Sequence, residues 1–127
     1  MIEVGEGGPG HFPWIESRTG CVLTRNARVL VAWRNGEILG MLAFDAWTPG
    51  SVQFHMAVEK AIAWRRLRPA LLDYAFRHAG KQVIVGVVPS HNLRSLRMAQ
   101  RLGGVQTHRV KDGWDLGDDL IVFELRR

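Results

Sequence analysis

An α+β fold is predicted, a three-layer α/β arrangement whose sheet is mixed but mostly antiparallel, with element order β-β-β-α-β-α-β-β. Three observations predict it. Arg28–Arg34 and Glu37–Trp47 are β-type runs joined by Asn35-Gly36, a strong two-residue hairpin signal. Leu71, Leu72, Ala75, Phe76 and Ala79, and later Leu93, Leu96, Ala99 and Leu102, recur at helical spacing. Between those two stripes Val83–Val88 is apolar throughout, as a strand covered on both faces would be.

Residues 1–27 read as irregular, punctuated by Gly5, Gly7, Gly8, Pro9, Gly10 and Pro13, with a short helix beginning near Trp14-Ile15-Glu16. After the hairpin, Thr48-Pro49-Gly50-Ser51 is a second turn and completes a three-strand meander. Val52, Phe54, Met56 and Val58 then face one way, and Gln53, His55 and Ala57 the other. Pro69 is placed at the first position of the next helix, where a missing N–H costs nothing. That helix carries Asp73 and Arg77 one turn apart outside, and Gly80 suits its C-terminal cap. A strand over Lys81–Val88 follows. Asn92 caps the second helix and Gly103-Gly104 ends it. Val105–Lys111 and Asp118–Leu125 close the fold around a polar Asp112–Gly117 loop. With no repeat or linker visible, one domain over residues 1–127 is expected.

Apolar residues make up 46% of the chain and charged residues 23%, ordinary for a globular protein. The formal charge of +5 rests mostly on arginine and favours an anionic ligand. Nucleic acid is one such anion, but charge alone does not select it, and no nucleic-acid role is expected. The single Cys21 excludes an internal disulfide and a multi-cysteine metal site. His55, His78, His91 and His108 lack ligand spacing, so no metal is expected. Neither a signal peptide nor a membrane-length apolar run is visible, which makes a cytoplasmic protein, in a bacterial or phage-infected cell, the expectation.

The stretch Val88–Gly104 carries the chemistry: a buried strand empties into a polar loop beside an Asn-capped helix N-terminus, a place that binds phosphate or amide groups. Asn92 and Ser95 at the helix start, with Leu102-Gly103 at its close, resemble the later helix of the GNAT N-acetyltransferase superfamily. The resemblance extends over roughly residues 28–126. Ala32–Met41 and Asp118–Leu125 also look like GNAT-type proteins of bacteriophages and prophages.

That resemblance implies acetyl-CoA as co-substrate and an amine acceptor, at a V-shaped opening between two splayed, parallel central strands, Val52–Val58 and Val83–Val88. The pantetheine would pair with backbone at Ala57 and Val58, and the pyrophosphate with amides of the following loop and helix. A homodimer is left open. The alternative is a GNAT-fold module without catalysis, serving in binding or in a virion.

Two departures from the family pattern stand out. Where the family's phosphate loop is glycine-rich, this chain has Ala63, Arg66 and Arg68. Side chains of Arg65, Arg66 and Arg68 would then replace glycine amides, with Trp64 stacking on adenine or covering the core. Where many members place a proton-donating tyrosine, this chain has Ala99, and Tyr74 is on the other helix. Base candidates are His55 and Glu59, at or just past the third meander strand. The plainer reading of His55 is a packed sheet histidine, and that of Glu59 a solvated strand end. Arg94, Arg97 and Arg101 share an outer helical face.

Overall fold

In a computed structural model describing residues 1–127, one seven-stranded sheet runs in the order β1-β2-β3-β4-β5-β7-β6. The strands are β1 (Glu3–Glu6), β2 (Arg28–Arg34), β3 (Glu37–Asp45), β4 (Ser51–Val58), β5 (Val83–Pro89), β6 (Val105–Asp115) and β7 (Asp118–Arg126). Helices α1 (Phe12–Thr19), α2 (Ala61–Leu72) and α3 (Leu93–Leu102) pack on its two faces. Only β4 and β5 pair in parallel; every other neighbouring pair is antiparallel. From β2 onward this is the predicted order.

The meander forms for the reasons its sequence gives. Asn35 and Gly36 both take positive φ, 52° and 78°, the two-residue turn that suits the strand twist. Alternation along β4 sorts the core into two. Val52 belongs to the larger cluster, with Leu30, Leu42, Phe44 and the α2 residues Ala63, Leu67 and Leu71, and Phe54, Met56 and Val58 pack against it. Ala57 packs on the opposite face beside Ile15 of α1, Val29, Val31, Met41 and Ala43.

Three sequence expectations are corrected. Residues 1–27 are more ordered than their glycines suggest: Glu3–Glu6 is an edge strand pairing antiparallel with β2, and a full helix follows over Phe12–Thr19. Those glycines permit close packing. A Cβ on Gly5 would stand 3.1 Å from the Trp33 ring, and one on Gly7 would stand 2.9 Å from Val29 and Val31.

The second correction concerns α2. It opens at Ala61, directly after β4, so Ala63, Trp64, Arg65, Arg66 and Arg68 are helical and Pro69 lies inside the helix. Ala63, Leu67, Leu71 and Ala75, four residues apart, are fully buried, and this stripe outweighs the proline. Pro69 removes the partner of the Arg65 carbonyl, but both residues are exposed and water can take the bond. Beyond it the helix widens to a π-turn over Asp73–His78.

The third correction is the hairpin. Instead of a loop over Asp112–Gly117, β6 runs on to Asp115 and turns on Leu116-Gly117, taking up the excess length in a bulge between Val110 and Asp115. Asp112 adopts a φ of 54° within that bulge.

Candidate functional site

Parallel pairing of β4 with β5 stops at Phe54 and Gly86. Beyond that point β4 continues to Val58 against β3, and β5 continues to Pro89 against β7. Each strand follows its outer neighbour, so a wedge opens between them. It forms a cleft of about 900 Å³ that passes through the sheet. Trp64 of α2 and Trp114 of β6 stand in its walls without filling it.

The wedge exposes backbone in a definite pattern. Gly50 O accepts from Val83 N on the β5 side of β4, whereas Glu59 N donates to Leu39 O on the β3 side. Alternation between those two anchors turns the N–H and C=O of Met56 and Val58 into the gap and those of Ala57 toward β3. Of the two residues the resemblance suggested, Val58 offers polar backbone to a ligand in the wedge, and Ala57 lines it by its proximity.

Two helices begin beside this opening. At α3, Asn92 Oδ1 accepts from Ser95 N at 3.1 Å, as a capping residue should, and Arg94 N–H has no protein partner. At α2 the amides of Ala61 and Ile62 are likewise unpaired, and Lys60 precedes them without capping the helix. Both helix starts therefore concentrate positive potential next to the cleft. Asn92, Ser95 and Trp64 line it; Arg65, Arg66 and Arg68 are exposed on α2 outside its lining.

On the α1 side, His55 is half-buried in the cleft wall and makes no hydrogen bond to the protein. No buried side-chain nitrogen or oxygen lacks a partner, so its ring nitrogens reach the open cleft. Burial holds the imidazole below its ordinary value, against the opposing pull of the Asp45 carboxylate. Asp45 is 6% exposed and accepts from Thr24 N and Thr24 Oγ1, both at 2.7 Å. Its own burial pushes the carboxyl up, but these bonds prevail and keep it low, hence charged. His55 is thus a neutral imidazole facing open space.

Glu59 is differently placed. Its carboxylate takes Arg18 Nε at 2.5 Å, and the same guanidinium lies 3.8 Å over the Trp14 ring. Arg18 ties α1 to the end of β4, and Glu59 is spoken for. Cys21, also in the wall, is pushed up by burial despite a hydrogen bond from Thr19 Oγ1, so it is a protonated thiol and no nucleophile.

The structure also gathers residues that sequence reasoning left apart. His91, treated as one of several scattered histidines, meets Asp118 across 27 positions of chain, Nδ1 against Oδ2. Nothing local in the sequence signals this pairing; it depends on β5 and β7 ending side by side. Trp114, carried by the β6 bulge, reaches across to α1, its ring 3.2 Å from where a Cβ on Gly20 would be.

No family model matches the sequence, and no curated protein matches it. Solved structures do. The chain is similar to the spermidine/spermine N-acetyltransferase SpeG of Vibrio cholerae, with a TM-score of 0.80 at 12% identity over 99% of this chain and 95% of that one. It is similar to a GNAT-family protein of Desulfovibrio desulfuricans, with a TM-score of 0.78 at 13% identity over 99% of both chains. It is similar to the N-acetyltransferase PseH of Campylobacter jejuni, solved with acetyl coenzyme A, with a TM-score of 0.73 at 14% identity over 100% and 99%. At these identities the likeness is one of fold, and the fold is that of the GNAT acetyltransferases.

Proposed function

We propose that this chain is an acyl-CoA-dependent N-acetyltransferase that moves an acetyl group from acetyl-CoA to an amine. The wedge carries the reading. A parallel strand pair that parts at Phe54/Gly86 and leaves Met56 and Val58 amides unpaired in a through-going cleft suits an extended amide-bearing arm. That arm would add to the free edge of β4 as a further strand does. Its pyrophosphate would meet the unpaired amides of Ala61 and Ile62, where the helix dipole and Lys60 favour an anion. Asn92 and Ser95 would border the arm from α3.

The acceptor enters from the α1 side, between Trp114 and His55. An amine attacks only when neutral, so a group must take its proton. His55 is that base: neutral, unpartnered and in the wall. Glu59, engaged by Arg18, positions α1 in this reading. The nitrogen attacks the thioester carbonyl, whose oxygen is within the field of the wedge amides. No helix is long and apolar enough to cross a membrane, and the reaction proposed is that of a cytoplasmic enzyme.

A second reading is a GNAT-fold module without catalysis, serving in binding or in a virion. The helix start supports it, since Ala61 and Ile62 bear side chains where close phosphate approach would suit glycine. Calorimetry with acetyl-CoA, coupled to a thiol-release assay over an amine panel, separates the readings. Binding with thiol release is expected. Binding without release favours the module, and no binding at millimolar acetyl-CoA removes the acetyltransferase and leaves the module.

A further inference from the structure

Acyl transfer from a thioester creates a second proton requirement, since the departing thiolate leaves faster when protonated. Ala99 faces the cleft where an acid would be useful and supplies nothing. The residues around the end of β5 do. Ser90 Oγ donates to Asp118 Oδ1 at 2.8 Å and accepts from Asp119 N at 2.9 Å. Ser90 N donates to Asp119 O at 2.8 Å, and His91 N donates to Asp118 Oδ1 at 3.2 Å. His91 Nδ1 completes the set on Asp118 Oδ2.

This cluster fixes a side chain that would otherwise swing. Asp118 is 19% exposed, whereas His91 is 64% exposed and lines the cleft beside Asn92. The carboxylate can only accept, so Nδ1 carries the hydrogen and Nε2 is the nitrogen left to exchange protons with the cleft. Burial pushes the Asp118 carboxyl up, but the bonds from Ser90 and His91 hold it lower, keeping it ionised. The remaining charges nearby are Asp119, already taken by Arg109 of β6 at 2.5 Å and also attracted by Lys111 of β6, and Arg94 on the first turn of α3.

We propose that His91 is the proton donor to the departing thiolate and that Asp118 is its positioning residue. The inference rests on the acetyltransferase reading. The acceptor nitrogen forms its bond to the carbonyl carbon, and the carbon–sulfur bond breaks with its electron pair on sulfur. His91, carrying hydrogen on both ring nitrogens when it acts, passes its Nε2 proton to that sulfur and keeps the Nδ1 hydrogen on Asp118. The nitrogen's proton leaves through His55 to water, and His91 is reprotonated from water. No other reactant is needed.

The experiment compares two leaving groups in thiol release, with hydroxylamine as acceptor. With acetyl-CoA, His91→Gln should lose about 100-fold, within the usual range for a positioned acid. With phenyl thioacetate, whose thiolate leaves unprotonated, the loss should shrink to about threefold or less. Asp118→Asn should flatten the alkaline limb of the acetyl-CoA profile, and Asp118→Glu should restore part of it. The Nδ1–H signal of His91 by ¹⁵N NMR should vanish in Asp118→Asn, a readout that needs no activity. Equal losses with both donors, or none with either, would overturn the proposal. If the unaltered chain binds acetyl-CoA but releases no thiol with either donor, the acetyltransferase reading falls and takes this one with it.

Discussion

Along β3, Leu39–Asp45 are buried without a break, whereas all eleven residues of β6 are exposed. The contrast extends to the helices. Ala63, Leu67, Leu71 and Ala75 of α2 and its π-turn are fully buried, while α3 buries only Leu102. Of twenty-two buried apolar residues, Ile84, Leu102, Ile121 and Phe123 alone come from β5 onward. The first half of the sheet is a platform closed on both faces. The second half leaves Val87, Val88 and Leu120 facing the cleft. A ligand in the wedge would therefore cover what the chain itself leaves bare, and the cleft lies where packing density changes.

Core truncation tests that difference most strongly. Leu67→Ala should cost about 3 kcal/mol, in the range of large-to-small changes at fully buried sites. Leu96→Ala, on the half-covered α3, should cost about 1 kcal/mol or less. Urea unfolding of the two variants reads both values. Similar costs would mean that the halves are equally well packed and that the cleft needs another explanation.

The next test turns on His55 and is nearly as large. Burial keeps its imidazole neutral, so the acid limb of kcat/KM should fall below the ordinary histidine value near 6.5. His55→Gln should lose about 100-fold at neutral pH and erase that limb. The same shift has a sign in stability. The unfolded chain protonates this residue first, so the folded state loses stability as pH falls through the unfolded value. His55→Gln should remove that part of the decline. A limb that stays put in the variant would assign the base elsewhere.

Legibility in the sequence follows the same divide. The meander could be read because Asn35-Gly36 and the β4 alternation are local signals, and α3 because Asn92 and Gly103 mark its ends. Edge strand β1 could not, since Gly5 and Gly7 read as turn residues until Trp33 and Val31 are seen packed on them. The start of α2 was hidden because its stripe alternates with exposed arginines and Pro69 mimics a helix opening. In the cleft, His55 and Asn92 could be named from position along the chain, and Val58 from the family resemblance. His91 with Asp118 could not, because their meeting is a property of where β5 and β7 end.

The smallest expected effect bears on what holds phosphate at the edge of the closed half. Arg65, Arg66 and Arg68 are exposed, join no ion pair and lie outside the cleft lining. The unpaired amides of Ala61 and Ile62 open α2 directly after Val58 and Glu59 of the cleft wall, three to seven residues before those arginines. Arg66→Glu/Arg68→Glu should therefore weaken acetyl-CoA by about threefold or less, through loss of long-range attraction alone, and the difference should fade as salt shortens the screening length to about 8 Å. A sharp loss that persists at high salt would mean that the guanidinium groups reach the phosphates directly. The positive potential would then come from side chains on the helix flank, and α2 would serve as a lever carrying them rather than as the site itself.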